Sequence, residues 1–299
     1  MPWRGAKASR ITTSANSNDD EEPMIVSHTI SDLRGVFAAC ALAIAMVFAG
    51  SAVAETANND VWNGLRKDVF GTRELLDGTG KMTLTAPIRA EDAAVVPLSV
   101  QMPADFANSV TKLTLIIDKN PSPVVGTFTY GPAAGKGERV LSTRVRMDQY
   151  SDVRAIAETA DGKLYMITRF VKASGGCSAP ASKDAEEAAK SLGKMLIKTA
   201  IGKTADGLAQ EAQVAIKHPN TTGMQMDQLT GLYAPARYID KIEVKTGDKV
   251  VFTVEGGISF SEDPSIRFTY DGNPSDPMAV TAQDSDGTQF AGRSTPSAS

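Results

Sequence analysis

From Lys81 onward, apolar and polar residues alternate with a period of two, the spacing that buries one face of a strand and wets the other. Leu113, Leu115 and Ile117 alternate within 110–118. Val124, Gly126, Phe128 and Tyr130 share a face, with Thr127 and Thr129 opposite, and Leu141, Thr143, Val145 and Met147 continue the pattern. The runs VRAIAET and KLYMITRFV flank Ala160-Asp161-Gly162 and predict a hairpin. Ahead of them, residues 60–70 predict a short amphipathic helix, with Val61, Leu65 and Phe70 inward and Gly71 as its stop.

The pattern changes at Ser182. Residues 181–212 are rich in Ala, Lys and Glu, hold no proline, and place Asp184, Glu186 and Glu187 where a helix N-terminus favours negative charge. They predict a helical connector. Alternation resumes near Val214, through Ile242 and Val244, then Val250, Phe252 and Val254 after the turn at Thr246-Gly247-Asp248. Ile266, Phe268 and Tyr270 form a further run, as do Met278, Val280 and Ala282 before the Asp284-Ser285-Asp286-Gly287 turn. The expected fold is mainly β: two immunoglobulin-like β-sandwich domains, 55–180 and 213–299, joined by the 181–212 connector, with a disordered tail.

With 299 residues, 42% of them apolar, the chain is long enough for two such domains. Its net charge of −4 is spread without a basic block, so no nucleic-acid footprint is present. Residues 36–50, VFAACALAIAMVFAG, have the length of a signal-peptide core and precede an A-x-A signal at Ala52-Val53-Ala54. The expectation is a leader over 1–54, export to the periplasm, and no membrane attachment after cleavage. The acidic run Asp19 to Glu22 is foreign to a leader, which makes Met24 the better translation start.

Cleavage would remove Cys40 and leave Cys177 as the one remaining thiol, in an oxidising compartment without an internal partner. It sits in KASGGCSAPA, and no neighbour in sequence is large enough to bury it. The expectation is an exposed thiol on an arm that Gly175 and Gly176 make pliable, able to carry an adduct or to join two molecules as a dimer. A nucleophilic pair of Cys177 with His218 is the competing reading, and an incidental surface cysteine is the plain one. The one cysteine and one histidine that would remain after cleavage exclude a zinc site, and no cofactor is called for. Asp284, Asp286 and Gly287 lack the rest of a calcium loop, and Gly131 to Gly137 has the wrong spacing for a phosphate loop; both read as turns.

Several stretches resemble a known family. They are Ala86 to Pro97, Asn120-Pro121-Ser122-Pro123, Thr143-Arg144-Val145-Arg146-Met147 and Val171 to Cys177, then Lys217 to Gly223, Tyr233 to Ile239, Ser261 to Pro264 and Asp284 to Gly287. In this order they resemble the SoxYZ sulfur carrier of bacterial thiosulfate oxidation, and more closely its fused, quinoprotein dehydrogenase-associated relatives. The resemblance implies a SoxY-like and a SoxZ-like immunoglobulin-type sandwich in one chain, and a non-catalytic role. It implies that Cys177 matches the cysteine that holds a sulfur intermediate covalently and visits successive enzymes. Partners implied are Sox-type redox enzymes or a pyrroloquinoline quinone-dependent alcohol dehydrogenase with its cytochrome c; an accessory module that binds such a dehydrogenase non-covalently is the alternative. One departure matters. Ser178-Ala179-Pro180 follows the cysteine where the family has two glycines, and the arm is tethered at both ends.

Overall fold

The computed structural model of the chain describes residues 61–180, 185–204, 207–227, 230–273 and 276–294. The expected leader, Met24, Cys40, residues 181–184 and the last five residues of the tail lie outside them. The first half contributes α1 (61–70), β1 (Leu75–Asp77), β2 (Thr83–Thr85), β3 (Val96–Met102), α2 (Ala104–Ala107), β4 (Val110–Ile117), β5 (Val124–Tyr130), β6 (Arg139–Val145), β7 (Ser151–Thr159) and β8 (Leu164–Val171). The second contributes α3 (Ala185–Ser191), β9 (Met195–Thr204), β10 (Gly207–Ile216), β11 (Ile239–Thr246), β12 (Lys249–Gly256), β13 (Ser265–Tyr270), β14 (Met278–Asp284) and β15 (Gln289–Arg293).

The fold is mainly β, in immunoglobulin-like sandwich form, and its two halves share their sheets. One sheet of nine strands runs β1-β8-β7-β4-β5-β12-β11-β14-β15, and the facing sheet of six runs β2-β3-β6-β13-β10-β9. The halves join edge to edge in both layers. β5 pairs antiparallel with β12, from Tyr130 opposite Phe252 to Gly126 opposite Gly256, and β6 pairs with β13 from Thr143 opposite Ile266 to Leu141 opposite Phe268. Pairing satisfies strand edges that each half would otherwise leave open.

Side chains lock the same seam. Phe128 of the first half meets Phe252 and Phe260 of the second edge-on, with ring centroids 5.8 and 6.5 Å apart, and Phe252 meets Phe268 at 4.7 Å. All are buried in one continuous core. Burying each ring is worth about 1.5–3 kcal/mol, before the gain from edge-to-face geometry.

Two expectations need correction. Residues 181–212 are not a helical connector: α3 ends after Ser191, Gly193 turns left-handed at φ 74°, and β9 and β10 form a hairpin from Met195 opposite Ile216 to Thr204 opposite Gly207. The period-two placing of Met195, Ile197, Thr199 and of Ala212, Val214, Ile216, with β-branched residues in it, outweighs the Ala/Lys/Glu composition. On α1 the buried pair is Trp62 and Phe70, while Val61 faces outward. These rings cover Ile116, Ile156 and Leu164 on the outer side of β4, β7 and β8. Among the described residues, no helix is long and apolar enough to cross a membrane.

Candidate functional site

β8 ends at Val171, and the chain continues beside the 88–93 segment: Lys172 N–H donates to Ile88 O at 2.9 Å, and Ala90 N–H donates to Lys172 O at 3.1 Å. It then turns back over the residues that follow β6. Gly175 N–H donates to Asp148 O and Gly176 N–H to Met147 O, both at 2.9 Å, while Met147 N–H donates to Ala93 O at 2.8 Å. Three strand-end segments thus converge under the turn that carries Cys177.

The two glycines meet different demands. Gly175 takes φ 80°, which a residue with a Cβ adopts only under strain, and faces open space. Gly176 has no such angle, but a Cβ there would lie 2.0 Å from Ala93 O and 2.8 Å from Met147 O. It is the close approach of backbones, and not pliability, that requires glycine at 176.

Cys177 is 0% exposed. The expected exposed thiol is therefore wrong for this conformation. The turn is held by residues remote in sequence, from both halves of the chain. Thr222 Oγ1–H donates to Cys177 O at 2.6 Å, and Gln225 Nε2–H donates to Ala179 O at 3.1 Å. Gln225 Oε1 in turn accepts Thr222 N–H at 3.1 Å, so the two clamping residues brace each other. Both are buried.

The clamp loop is built by the Lys217 to Gly223 stretch. Asn220 adopts φ 47°, its N–H donates to His218 Nδ1 at 3.0 Å, and its Oδ1 accepts Ile239 N–H at 3.0 Å. Its Nδ2–H donates to Phe260 O at 3.2 Å. His218 N–H donates to Asp263 Oδ1, and Lys217 Nζ sits 2.6 Å from Asp263 Oδ2. The other ring nitrogen of His218 stands 3.5 Å from Asp284 Oδ2, too long for a good hydrogen bond. Asp284 is already saturated: Oδ2 accepts from Arg237 at 2.9 Å, and Oδ1 accepts Asp286 and Thr288 N–H at 3.1 and 2.8 Å. Burial is the largest influence on His218 and holds it below 6.5, aided by Arg237, against Asp284 and Asn220. Neither imidazole nitrogen is aimed at the thiol, so the structure does not assemble a Cys177–His218 pair. The 284–287 segment is a turn that anchors Arg237, and 131–137 is a turn between β5 and β6. Among the described residues no cluster of three metal-ligating side chains exists.

Arg146, directly after β6, is a buried cationic group bonded to the turn. It is 1% exposed. Nη1–H donates to Gly176 O at 3.1 Å, whereas Nε and Nη2 have no acceptor. Asn120 fixes the backbone on either side: its Nδ2–H donates to Arg146 O at 2.7 Å and to Ser259 Oγ at 2.9 Å, and its Oδ1 accepts Asp148 N–H at 2.9 Å. Burial lowers the Arg146 pKa, and Glu262, Cys177 and Asp92 oppose that at longer range. The thiol is pushed up to about 11, by burial first and Asp148 second, with Arg146 opposing. A thiol so placed is neutral and unreactive at neutral pH.

Sequence reasoning found the cysteine and missed its keepers. Arg146 and Thr222 do stand inside stretches the family resemblance singled out, TRVRM and KHPNTTG. Gln225 and Ala93 carried no signal of their own.

Residues 66–177 match the family model of sulfur oxidation protein SoxY, and residues 197–295 that of sulphur oxidation protein SoxZ. No curated protein matches the chain. Among solved structures, the sulfur carrier protein SoxY from Chlorobium limicola f thiosulfatophilum is 25% identical over 40% of this chain and 97% of that one, with a TM-score of 0.32. A glycosyl hydrolase family 2 member from Bacteroides cellulosilyticus DSM 14838 aligns at 10% identity over 72% of this chain, spanning 28% of its own, with a TM-score of 0.20. The two family matches lie in series, the first ends on Cys177 itself, and the chain belongs to the SoxY and SoxZ families as a fused SoxYZ-like protein.

Proposed function

We propose that the chain is a carrier of sulfur oxidation that holds a sulfur intermediate covalently on Cys177 and presents it to partner redox enzymes. The observation that carries this reading is the end of the SoxY match on the one cysteine among the described residues, in a turn of its own at the junction with the SoxZ half. Loading from a thiosulfate-like anion joins its outer sulfur to Sγ. The thiol proton is released, and two electrons pass to a redox centre of the partner enzyme. Among the described residues His218 is committed elsewhere and does not serve the thiol, so this reading assigns the chemistry to the partner.

Burial adds a step to this reading. Cys177 is loaded only after its turn lifts away from Thr222, Gln225 and Arg146, with Gly175 as the open-sided pivot. Tethering at both ends limits the excursion. At about 3.3–3.6 Å per residue, five residues from Lys172 to Cys177 reach roughly 15–18 Å. The apolar run at 36–50 supports action in the periplasm after export.

The buried thiol also favours a second reading, in which the fused halves dock non-covalently as an accessory of a periplasmic quinoprotein dehydrogenase and Cys177 is structural. Replacement of the gene by a Cys177→Ser variant separates the two. Loss of growth or respiration on reduced sulfur, with the folded protein still present, supports carriage. Full function in that variant, on sulfur compounds and on alcohols, supports the accessory role.

A further inference from the structure

Arg146, bonded to the Cys177 turn through Nη1, leaves one edge of its guanidinium unpaired. On a guanidinium, Nε–H and the neighbouring Nη2–H point the same way and form a fork that matches two oxygens of an oxyanion. Here that fork is buried and has no acceptor, while the remaining nitrogen, Nη1, holds the carbonyl of Gly176, the residue before the cysteine. Asp92 and Glu262 act on the charge from a distance, and neither closes the fork. A buried fork of this kind is costly to keep unless something completes it.

We propose that Arg146 is an oxyanion subsite for the cargo, receiving the charged oxygens of a sulfonate or thiosulfonate group borne on Cys177. The inference rests on the carrier reading above. An adduct adds volume that the closed turn does not hold, so the turn lifts as Cys177 is loaded. Lifting withdraws Gly176 O from Nη1 and leaves the whole guanidinium free to face the adduct. Arg146 thus exchanges a backbone carbonyl in the empty carrier for the cargo's anion in the loaded one. It is a positioning and binding residue, distinct from Cys177, which makes the bond.

The test compares an anionic with a neutral adduct on the full chain. With tetrathionate, the Cys177 thiolate attacks an inner sulfur, an S–S bond forms to Sγ, and thiosulfate leaves with the bonding pair. The protein then carries a thiosulfonate. With methyl methanethiosulfonate, the same attack expels methanesulfinate and leaves an uncharged methyl disulfide. Melting temperatures of the thiol, anionic and neutral forms are measured for wild type, Arg146→Met and Arg146→Lys. In wild type the anionic form is expected to melt about 3 °C or more above the neutral one. Arg146→Met should lose or reverse that order, and Arg146→Lys, which keeps the charge without the fork, should retain part of it. The thiol forms control for folding, and the wild-type comparison alone still decides if a variant is unstable. Equal melting of the two wild-type adducts, or an order unchanged in Arg146→Met, overturns the subsite and leaves the carrier reading standing. Native protein left unmodified by excess tetrathionate even on long incubation at alkaline pH, where the thiolate forms, overturns both.

Discussion

Thr222 Oγ1 lies 2.6 Å from the carbonyl oxygen of Cys177, a contact between the SoxZ half and the SoxY half made at the residue on which the SoxY match ends. The second domain therefore acts on the thiol of the first through backbone, holding its turn shut. Thr222→Val removes the donor and strands a buried carbonyl, at a cost of about 1–3 kcal/mol to the closed turn. Alkylation of native Cys177 should then speed up by about tenfold, since a difference of about 1.4 kcal/mol is tenfold in the opening equilibrium. Adding Gln225→Ala should speed it further. Timed labelling with a maleimide, read by mass, measures both; an unchanged rate would remove the clamp from the account.

Burial and protonation act together on the rate. With its turn closed and its thiol raised from 9.0 to about 11, native Cys177 should react well below the rate of the urea-unfolded chain at pH 8. The same shift has a sign for stability. The folded state binds the thiol proton more tightly, so the stabilisation is present below pH 9.0 and is lost as pH rises from there through about 11. Cys177→Ser should flatten that alkaline decline in denaturant titrations.

The two glycines should respond unequally. Gly175→Ala meets no neighbouring atom and carries only the strain of φ 80°, about 1–2 kcal/mol. Gly176→Ala puts a methyl 2.0 Å from Ala93 O and must push the turn off its bed. Its melting temperature should fall more, and its Cys177 should label faster, than in Gly175→Ala. The reverse order would contradict the packing role assigned to Gly176.

His218 anchors the clamp loop in its neutral form, with burial as the main reason its pKa lies below 6.5. The unfolded chain then binds the proton more readily, so this contribution is present above pH 6.5 and is lost as pH falls below it. Stability measured from pH 7 down to pH 5 should decline in wild type and decline less in His218→Asn. Equal slopes would mean that the ring titrates alike in both states.

Severing the chain between α3 and β9 tests the shared sheets. Each half alone exposes β5 and β6, or β12 and β13, together with Phe128 or Phe252. Co-expressed halves should elute as a one-to-one complex in size-exclusion chromatography, and each half alone should aggregate. Two soluble monomers would contradict the continuous core.

Alternation alone located most strands, because period-two burial is local information. The junction of the halves was not legible, since β5 meets β12 only by register across more than a hundred residues. The β9–β10 hairpin was hidden by Ala, Lys and Glu, which describe composition and not the face each residue shows. Cys177 was legible as a site through its glycines and the family resemblance. Its burial was not, because Ala93, Met147, Thr222 and Gln225 come from segments far along the chain, and small neighbours in sequence say nothing about them.

The central claim is that a thiol stored in a closed turn is opened and loaded with sulfur. Intact and peptide mass of the chain isolated from cells supplied with reduced sulfur compounds tests this most directly. The account predicts a fraction heavier by a sulfur-containing group confined to the Cys177 peptide and removed by thiol reductant. Cys177 found as an unmodified thiol in every molecule, with and without the sulfur source, would contradict it.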